Sequence, residues 1–548
     1  MSPLSTLAGF LGAAIIATGL VFHNRISDKQ WLLVLAVAWV FLIAGSRIPL
    51  PSRMPAFNRS LIRTALTLFT VFIIISAQLV RIQMVERDDT SQRTAIAADG
   101  ETIGNPRLAN AQLAVQRGEI LDRNGHLIAG TEQDGDIYLR TYPDPATANV
   151  AGYYSPLLYG SAGLEATYDD VLTGRSANDP IDRVVNDLLN RPQQGSNLVL
   201  TLDSGLQQQA MDLLAGRPGA VVVMDVETGA VLVLASGVTY DPNRLFTSTT
   251  DQNDAATLYW QSLGDSGLNP LVQRANLGLY TPGSTFKTVT AAAGIELGVI
   301  SPEDVFEDDG DITIDGRVLV ENNRPDDSQT LWTVLEALAW SLNVVFAQIG
   351  LLIGAAGYWE TVESFGISDR IPFDLPVAAG QLASSEEALE DDNLLADSAF
   401  GQGEIQVTPL YMCMVAAMYA NDGDMMVPYL VGSIQSPEGD LLDETTPRVW
   451  RDPISAQTAD TLQEMMINAV RNGAVSGAAI DGYVVGGKTG TAETGDGGTH
   501  QWFIGFIGDG EPQFAVSVVL ENADSGLGSA VNIGREMLLA TMLTIPTN

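Results

Sequence analysis

Three long apolar segments near the start of the chain constrain the fold more than any other feature. They are Leu4–Phe22, Trp31–Gly45 and Thr64–Val80. A helix that crosses a bilayer needs about 17–25 mainly apolar residues, and each segment approaches that length. The first segment lacks a positively charged start and a small-residue cleavage site, which favours an anchor over a cleaved signal peptide. We therefore predict a membrane anchor with up to three transmembrane helices over residues 1–82.

The charges divide the chain into a membrane end and an acidic end. The net charge is −38, yet residues 1–63 carry six basic residues and one acidic residue. Four arginines separate the second and third apolar segments, namely Arg47, Arg53, Arg59 and Arg63. Positive loops stay in the cytoplasm, so the third helix is expected to lead the remaining chain to the outer side of a cytoplasmic membrane. The negative charge argues against a nucleic-acid partner, because phosphates are bound by basic surfaces.

The sequence after the anchor divides into a small module and a large domain. Asn124-Gly125, between two short apolar runs, is typical of a hairpin turn, and Gly163–Asp169 begins a short helical pattern. We assign residues 83–195 to a mixed juxtamembrane pedestal module. Residues 196–548 then form the main domain.

The main domain has strand patterns at both of its ends. Before a mainly helical stretch, alternation predicts Asn197–Asp203, Ala220–Val226 and Ala230–Ser236; after it, Tyr483–Glu493, Gln501–Gly508 and Gln513–Glu521. Helices are predicted over Ser204–Ala215, Thr285–Leu297, Leu331–Trp340 and Val531–Met542. The hairpin strands Ala220–Val226 and Ala230–Ser236 before the helical stretch, and the three strands after it, predict an α+β fold. Its five-stranded antiparallel sheet would join segments that are distant in sequence.

Lysine is rare in this chain, and two of its lysines lie in chemically suggestive places. Of the 28 basic residues only Lys29, Lys287 and Lys488 are lysines. A desolvated lysine can lose its proton and act as a base, whereas arginine cannot. Ser284 precedes Lys287 by three residues at the start of a predicted helix, so the amine can reach the hydroxyl. The structural alternative is that Ser284 only caps that helix.

Two further motifs follow in order. Ser341-Leu342-Asn343 supplies a hydroxyl and an amide, and Lys488-Thr489-Gly490-Thr491 supplies an ammonium and two hydroxyls on a strand. Taken alone, the first motif is equally typical of an ordinary helix end, and the second is equally typical of an ordinary strand.

Cysteine and histidine are too scarce for other kinds of site. A single cysteine, Cys413, excludes an intrachain disulfide and is interpreted as a buried core thiol. Three histidines and no HExxH pattern predict no metal site and no cofactor.

Taken together, S-x-x-K, S-x-N and K-T-G resemble the signature set of serine acyl transferases that includes penicillin-binding proteins and class A β-lactamases. Longer stretches resemble class B penicillin-binding proteins, monofunctional D,D-transpeptidases, and the likeness runs from about Arg107 to the end of the chain. These stretches are YTPGSTFK at 280–287, KTGTAE at 488–493, WFIGF at 502–506, GQGEIQVTP at 401–409, RGEILDRNG at 117–125, GAVVVMD at 219–225 and YDPN at 240–243. Three candidate spans instead of the usual single anchor are a departure from that class.

The resemblance implies a β-lactamase/transpeptidase-like domain with a helical subdomain, and it implies roles for the motif residues. Ser284 would attack the penultimate D-alanine of a peptidoglycan stem peptide, and Lys287 would take its proton. Ser341 and Asn343 would relay a proton and hold the substrate amide, while Lys488, Thr489, Gly490 and Thr491 would bind the terminal carboxylate. The backbone N–H groups of Ser284 and Thr491 would form an oxyanion hole.

The resemblance also implies partners: stem peptides as substrates, β-lactams as inhibitors, the membrane, and a glycosyltransferase of the SEDS type. Two alternatives stay open. The first is a carboxypeptidase or β-lactamase that uses water as the acceptor, and the second is a non-catalytic membrane scaffold or β-lactam receptor.

Overall fold

A computed structural model describes residues 3–21, 27–81, 95–96, 102–103, 112–175, 194–493, 498–523 and 529–546. The chain divides into two compact units, Met1–Gln112 and Leu113–Asn548. Of the predicted pedestal module, residues 83–94, 97–101, 104–111 and 176–193 lie outside the described residues.

The first unit contains three apolar helices, as the three apolar segments predicted. They span Pro3–Val21, Asp28–Ser46 and Ala56–Val80, and the two-residue strands Ala95–Ile96 and Thr102–Ile103 pair antiparallel. Two helices are long and apolar enough to cross a membrane, Lys29–Ser46 and Ala56–Val80, while the apolar stretch of the first helix is shorter. The third helix begins at Ala56 and not at Thr64, so it includes two of the arginines that were assigned to the preceding loop.

Polar contacts join the second and third helices of this unit. The indole N–H of Trp31 donates to Gln78 Oε1 at 2.7 Å, and that of Trp39 donates to Thr70 Oγ1 at 3.3 Å. Large apolar side chains of the third helix are exposed, among them Phe72 at 65%. Buried polar contacts and an exposed apolar surface suit a helix that faces lipid.

The second unit begins with a six-stranded sheet. Its strands, in spatial order, are Leu441–Glu444, Val431–Gln435, Asn197–Leu200, Ile120–Leu121, Leu127–Asp134 and Ile137–Thr141. The predicted hairpin at Asn124-Gly125 is present, because Asp122 Oδ1 accepts the N–H groups of Asn124 and His126, each at 2.8 Å. Smaller elements of this region are Pro145–Thr147, Ala148–Ala151, Tyr154–Ser155, Gly160–Ser161, Leu164–Thr167 and Asp169–Leu172.

A buried ionic cluster holds this region together. Glu165 is fully buried and accepts from Arg117 at 2.7 Å and from Arg140 at 2.5 Å. Burial acts to raise the pKa of Glu165, but the charges of Arg140 and Arg117 outweigh it, so the pKa lies below its ordinary value. Removing one partner of such a group leaves an uncompensated buried charge, which typically costs about 3–5 kcal/mol.

The predicted five-stranded antiparallel sheet is confirmed and forms the central sheet of the second unit. Its strands, in spatial order, are Val231–Ser236, Gly219–Asp225, Glu511–Leu520, Thr499–Asp509 and Val484–Glu493. Helix Pro409–Tyr419, buried at every position, packs on one face, and helix Ala530–Thr544 packs on the other. Alternate side chains of Gly219–Asp225 therefore enter two different apolar cores.

Helices and short hairpins fill the sequence between the strands of the central sheet. The remaining helices are Ser204–Leu214, Thr250–Gly264, Arg274–Leu277, Lys287–Glu296, Val334–Trp340, Asn343–Ile353, Ala355–Ser364, Asp392–Ala399 and Ala456–Asn472. Single 3-10 turns span Pro242–Arg244, Gly283–Phe286, Glu386–Glu390 and Ser476–Ala478. Paired short strands are Val305–Glu307 with Leu331–Thr333, Asp311–Ile314 with Arg317–Val320, and Met425–Met426 with Val449–Arg451.

The prediction of one helix over Leu331–Trp340 was wrong in its first turn. Leu331–Thr333 is a strand, and the helix begins at Val334. Thr333 caps the helix by accepting the N–H of Glu336, and the Glu336 carboxylate accepts the N–H of Thr333. This reciprocal capping box fixes the helix start.

Candidate active site

Ser284 lies on the 3-10 turn Gly283–Phe286, which leads directly into helix Lys287–Glu296. Its side chain is half-buried, whereas Lys287 is fully buried. Thr285 Oγ1 donates to Pro282 O at 2.8 Å and Thr288 Oγ1 donates to Thr285 O at 2.8 Å, so side chains tighten the turn. The sequence predicted a regular helix from Thr285, whereas a tighter turn precedes helix Lys287–Glu296 and holds Ser284 in a half-buried position.

Glycines let two other segments approach this turn. Gly283 has φ +56°, and a Cβ there would lie 2.6 Å from Thr491 O. The carbonyl of Gly401 accepts the Gly283 N–H at 2.9 Å. A Cβ at Gly490 would lie 2.7 Å from Pro282 O. The edge strand Val484–Glu493 therefore lies directly against the turn Gly283–Phe286, which we call the nucleophile turn after the predicted role of Ser284. Backbone contacts backbone at Gly283 and Gly490, without side chains between them.

Lys287, Ser341, Asn343 and Lys488 meet in the interior. Lys287 Nζ donates to Ser341 O at 2.5 Å, to Asn343 Oδ1 at 2.8 Å and to Ser341 Oγ at 3.3 Å. Lys488 Nζ donates to the same Ser341 Oγ at 2.8 Å and to Thr489 O at 3.1 Å. One hydroxyl is thus shared by two buried lysines.

Burial lowers the proton affinity of both amines, and repulsion adds to this effect at Lys287. Burial lowers the pKa of Lys287 well below its ordinary value, and the charge of Lys488 lowers it further. The negative charge of Glu321 acts in the opposite direction. Burial also lowers the pKa of Lys488, to about 7. A neutral amine is therefore accessible in this site near neutral pH.

Ser341 adopts a backbone conformation that brings its hydroxyl and its carbonyl to the lysines. It ends helix Val334–Trp340 with φ +67° and ψ +39°, in the left-handed region. Asn343 begins the next helix, Asn343–Ile353. Left-handed conformations are uncommon for residues with a Cβ, and they concentrate at functional sites.

The remaining predicted site residues lie along the edge strand beside the turn. Gly490 is buried, Thr489 is half-buried and Thr491 is exposed. Gln402 Nε2 donates to Thr491 O at 3.4 Å, and Trp502 Nε1 donates to Thr281 O at 3.0 Å.

One expected contact is absent from this structure. The Ser284 hydroxyl makes no hydrogen bond with the described residues, and the Lys287 amine is bound to Ser341 and Asn343. Catalytic hydrogen bonds are often long in free enzymes and tighten when substrate binds.

Sequence reasoning missed two residues that contact the Ser341–Asn343 turn. Asn323 Nδ2 donates to Ser341 O at 2.9 Å, and Glu321 Oε2 accepts the N–H of Val344 at 2.9 Å. The dipeptide Asp315-Gly316 is typical of a tight hairpin turn. It could have been used to predict that Glu321 lies at the end of a strand. Asp315 and Gly316 both have positive φ, at 45° and 83°.

This arrangement defines a class of site. A partly accessible hydroxyl precedes a buried amine of lowered pKa, a second hydroxyl connects that amine to another, and an edge strand lies alongside. Such a set suits nucleophilic acyl transfer with lysine in the place of histidine.

Comparisons with known proteins point to the same class. The family model "Penicillin binding protein transpeptidase domain" matches residues 219–539, and "Penicillin binding protein A dimerisation domain" matches residues 117–198. The peptidoglycan D,D-transpeptidase PbpA of Mycolicibacterium smegmatis is 32% identical over 504 residues, covering 88% of this chain and 99% of the relative. The peptidoglycan D,D-transpeptidase MrdA of Acinetobacter baumannii is 26% identical, covering 72% of this chain and 62% of the relative.

Solved structures agree in fold. The ceftriaxone acyl-enzyme complex of penicillin-binding protein A from M. tuberculosis has a TM-score of 0.72 and 31% identity, covering 79% of this chain and 99% of that chain. Penicillin-binding protein 2 of Pseudomonas aeruginosa has a TM-score of 0.65 and 28% identity, covering 79% of this chain and 97% of that chain. The chain belongs to the penicillin-binding protein transpeptidase family, in its class B, which confirms the predicted resemblance and fold class.

Proposed function

We propose that this protein cross-links peptidoglycan stem peptides by serine acyl transfer at D-Ala-D-Ala termini. The observation that best supports this reaction is the Ser341 hydroxyl, which accepts from two buried lysines. One of them, Lys287, directly follows the turn that bears Ser284. Family membership supports the same reaction, because the relatives are named peptidoglycan D,D-transpeptidases and a related structure is an acyl-enzyme.

In the first step Ser284 Oγ attacks the carbonyl carbon of the penultimate D-alanine, and Lys287 accepts the hydroxyl proton. The low pKa of Lys287 makes its neutral form available for this task. The N–H groups of Ser284 and Thr491 stabilise the oxyanion, and one such donor is typically worth about 3–4 kcal/mol. Gly283, which lets the turn and the strand approach, brings these two donors together.

Collapse of the tetrahedral intermediate breaks the D-Ala-D-Ala peptide bond. The leaving amine takes a proton through Ser341 Oγ, which is hydrogen-bonded to Lys287 and Lys488. Free D-alanine departs, and the donor peptide stays on Ser284 as an ester. The amine of a second stem peptide then attacks that ester, which forms the cross-link and regenerates the serine.

The terminal carboxylate of the donor binds along the edge strand. Lys488 supplies positive charge, and the hydroxyls of Thr489 and Thr491 donate to the carboxylate oxygens. Thr491 is exposed and Thr489 is half-buried, so a ligand can reach both. Gly490 keeps the strand close to the nucleophile turn, and Asn343 holds the substrate amide in addition to Lys287.

The cellular setting follows from the first unit. Two helices that can cross a membrane anchor the chain, and the arginines between them favour a cytoplasmic loop with the second unit outside. We assign residues 1–82 to the anchor, 83–195 to the pedestal module and 196–548 to the transpeptidase domain. A SEDS-type glycosyltransferase in the same membrane would supply the glycan whose peptides are joined.

Covalent labelling with a fluorescent penicillin tests the function. The wild-type protein should become labelled, Ser284→Ala should not, and Ser364→Ala should be labelled like wild type, because Ser364 only donates to a carbonyl of its own helix. Labelling of Ser284→Ala would refute the assignment. Rapid release of the label would instead indicate water as acceptor, and full activity of Ser284→Ala in cells would indicate a scaffold.

A further inference from the structure

A short segment after the hairpin Asp311–Val320 contacts both ends of the Ser341–Asn343 turn. Asn323 Nδ2 donates to the carbonyl of Ser341 at 2.9 Å, the same carbonyl that accepts from Lys287. Glu321 Oε2 accepts the N–H of Val344, the residue after Asn343, at 2.9 Å. Neither residue belongs to a motif that marks the reaction.

Glu321 is firmly held. It is 7% exposed, and its Oε1 accepts the N–H groups of Asn322 at 3.0 Å and Asn323 at 2.9 Å. Its own N–H donates to Gly310 O at 2.8 Å. Because three N–H groups bind the carboxylate, it is held in place beside the turn.

The position of Glu321 suits a negative charge. Its carboxylate caps the first turn of helix Asn343–Ile353, where the helix dipole favours an anion. Within the described part of the chain Glu321 forms no direct ion pair. Its charge acts on Lys287, whose Nζ donates to Asn343, the residue before Val344.

We propose that Glu321 is a positioning residue for acyl transfer: it anchors the Ser341–Asn343 turn against Lys287 and supplies a negative charge that acts on Lys287. Asn323 completes the anchor from the other end of the turn. This inference rests on the proposed function, since it assigns the geometry and charge of the same site.

The charge of Glu321 and its anchoring of the turn should affect the pH dependence of the rate differently. The charged groups acting on Lys287 are Lys488, from the edge strand, and Glu321, from the hairpin segment. Glu321 raises the proton affinity of Lys287, so removing its charge should let Lys287 lose its proton at lower pH. Loosening the turn without removing charge should lower the rate at every pH and leave the pH dependence in place.

The test is the rate of acylation by a fluorescent penicillin, measured on the full chain in detergent as a function of pH. Glu321→Gln should shift the acid limb of the profile to lower pH and lower the plateau. Glu321→Asp and Asn323→Ala should lower the plateau about tenfold or more with the limb unmoved. Glu336→Gln is the matched control, because Glu336 caps a neighbouring helix and does not act on Lys287; its profile should equal wild type.

Each result decides the inference. An acid limb of Glu321→Gln at the wild-type pH would overturn the role of the Glu321 charge, and wild-type plateaus for Glu321→Asp and Asn323→Ala would overturn the anchoring role. Should Glu321→Gln not fold, judged by its melting temperature, the plateaus of Glu321→Asp and Asn323→Ala still decide the anchoring role. Failure of the wild-type protein to be labelled would instead contradict the proposed function itself.

Discussion

Lys287 and Lys488 contact the same hydroxyl. Ser341 Oγ lies 3.3 Å from the Nζ of Lys287 and 2.8 Å from the Nζ of Lys488, and both amines are fully buried. Two buried ammonium groups that contact one hydroxyl repel each other, so protonation of one opposes protonation of the other. The site therefore favours a state with one proton fewer than two free lysines would carry.

The first prediction concerns stability and pH. Burial lowers the pKa of Lys488 from 10.5 to about 7 in the folded protein. Between those values the unfolded chain binds more protons than the folded one, so stability rises with pH. Lys488→Met removes this buried amine. The variant should therefore gain most in melting temperature relative to wild type at or below pH 7, and the gain should shrink toward pH 10.5. A gain independent of pH would contradict the low pKa.

The second prediction separates positive charge from basicity. Lys287→Arg keeps a cation, but arginine cannot accept the proton of Ser284. Acylation by fluorescent penicillin should fall by about 10²–10⁴-fold. Lys29→Arg, at the third lysine of the chain, is the matched control and should be acylated at the wild-type rate. Retained acylation in Lys287→Arg would exclude Lys287 as the base.

The third prediction concerns the backbone of Ser341. Ser341→Ala and Ser341→Gly both delete the shared hydroxyl, so both should slow acylation to a similar extent. Only glycine adopts φ +67° without strain, so Ser341→Gly should be more stable than Ser341→Ala by about 1 kcal/mol. Denaturant unfolding measures the difference. Equal stability would mean that the left-handed conformation carries no strain.

The fourth prediction tests the close approach of the nucleophile turn to the edge strand. In Gly283→Ala a Cβ would lie 2.6 Å from Thr491 O, so turn and strand must separate and acylation should fall about 10²-fold. Gly298→Ala is the matched control, because Gly298 has a similar φ of +65° with open space around its Cβ. It should lose stability but not acylation. Equal acylation losses in both variants would show that backbone strain alone is responsible.

The sequence predicted the central sheet well. The strands Gly219–Asp225 and Val484–Glu493 are apolar or regularly alternating, and their observed limits differ from the predicted ones by about a residue. Side-chain periodicity records burial directly, so an element buried on one or both faces can be recognised from its own residues.

Other features could not be recognised locally. Leu331–Thr333 has helix-compatible residues and becomes a strand only because Val305–Glu307 pairs with it. The side chains of Glu321 and Asn323 bind the backbone N–H of Val344 and the backbone carbonyl of Ser341. Every residue type has these backbone groups, so the sequence does not indicate which ones are bound. The hydrogen bond expected between Lys287 and Ser284 was inferred from helical spacing. In the structure the Lys287 amine donates instead to Ser341 and Asn343.

The order of strands in the central sheet has a consequence for biosynthesis. Gly219–Asp225 pairs with Glu511–Leu520, and Lys488 arrives on a strand synthesised long after Ser284. A nascent polypeptide whose Ser284 has left the ribosome still lacks Lys488 and the strand that we propose binds the substrate carboxylate. Pairing of strands that are so distant in sequence is slow. On the proposed function, Ser284 therefore stays inactive until synthesis of the domain is nearly complete.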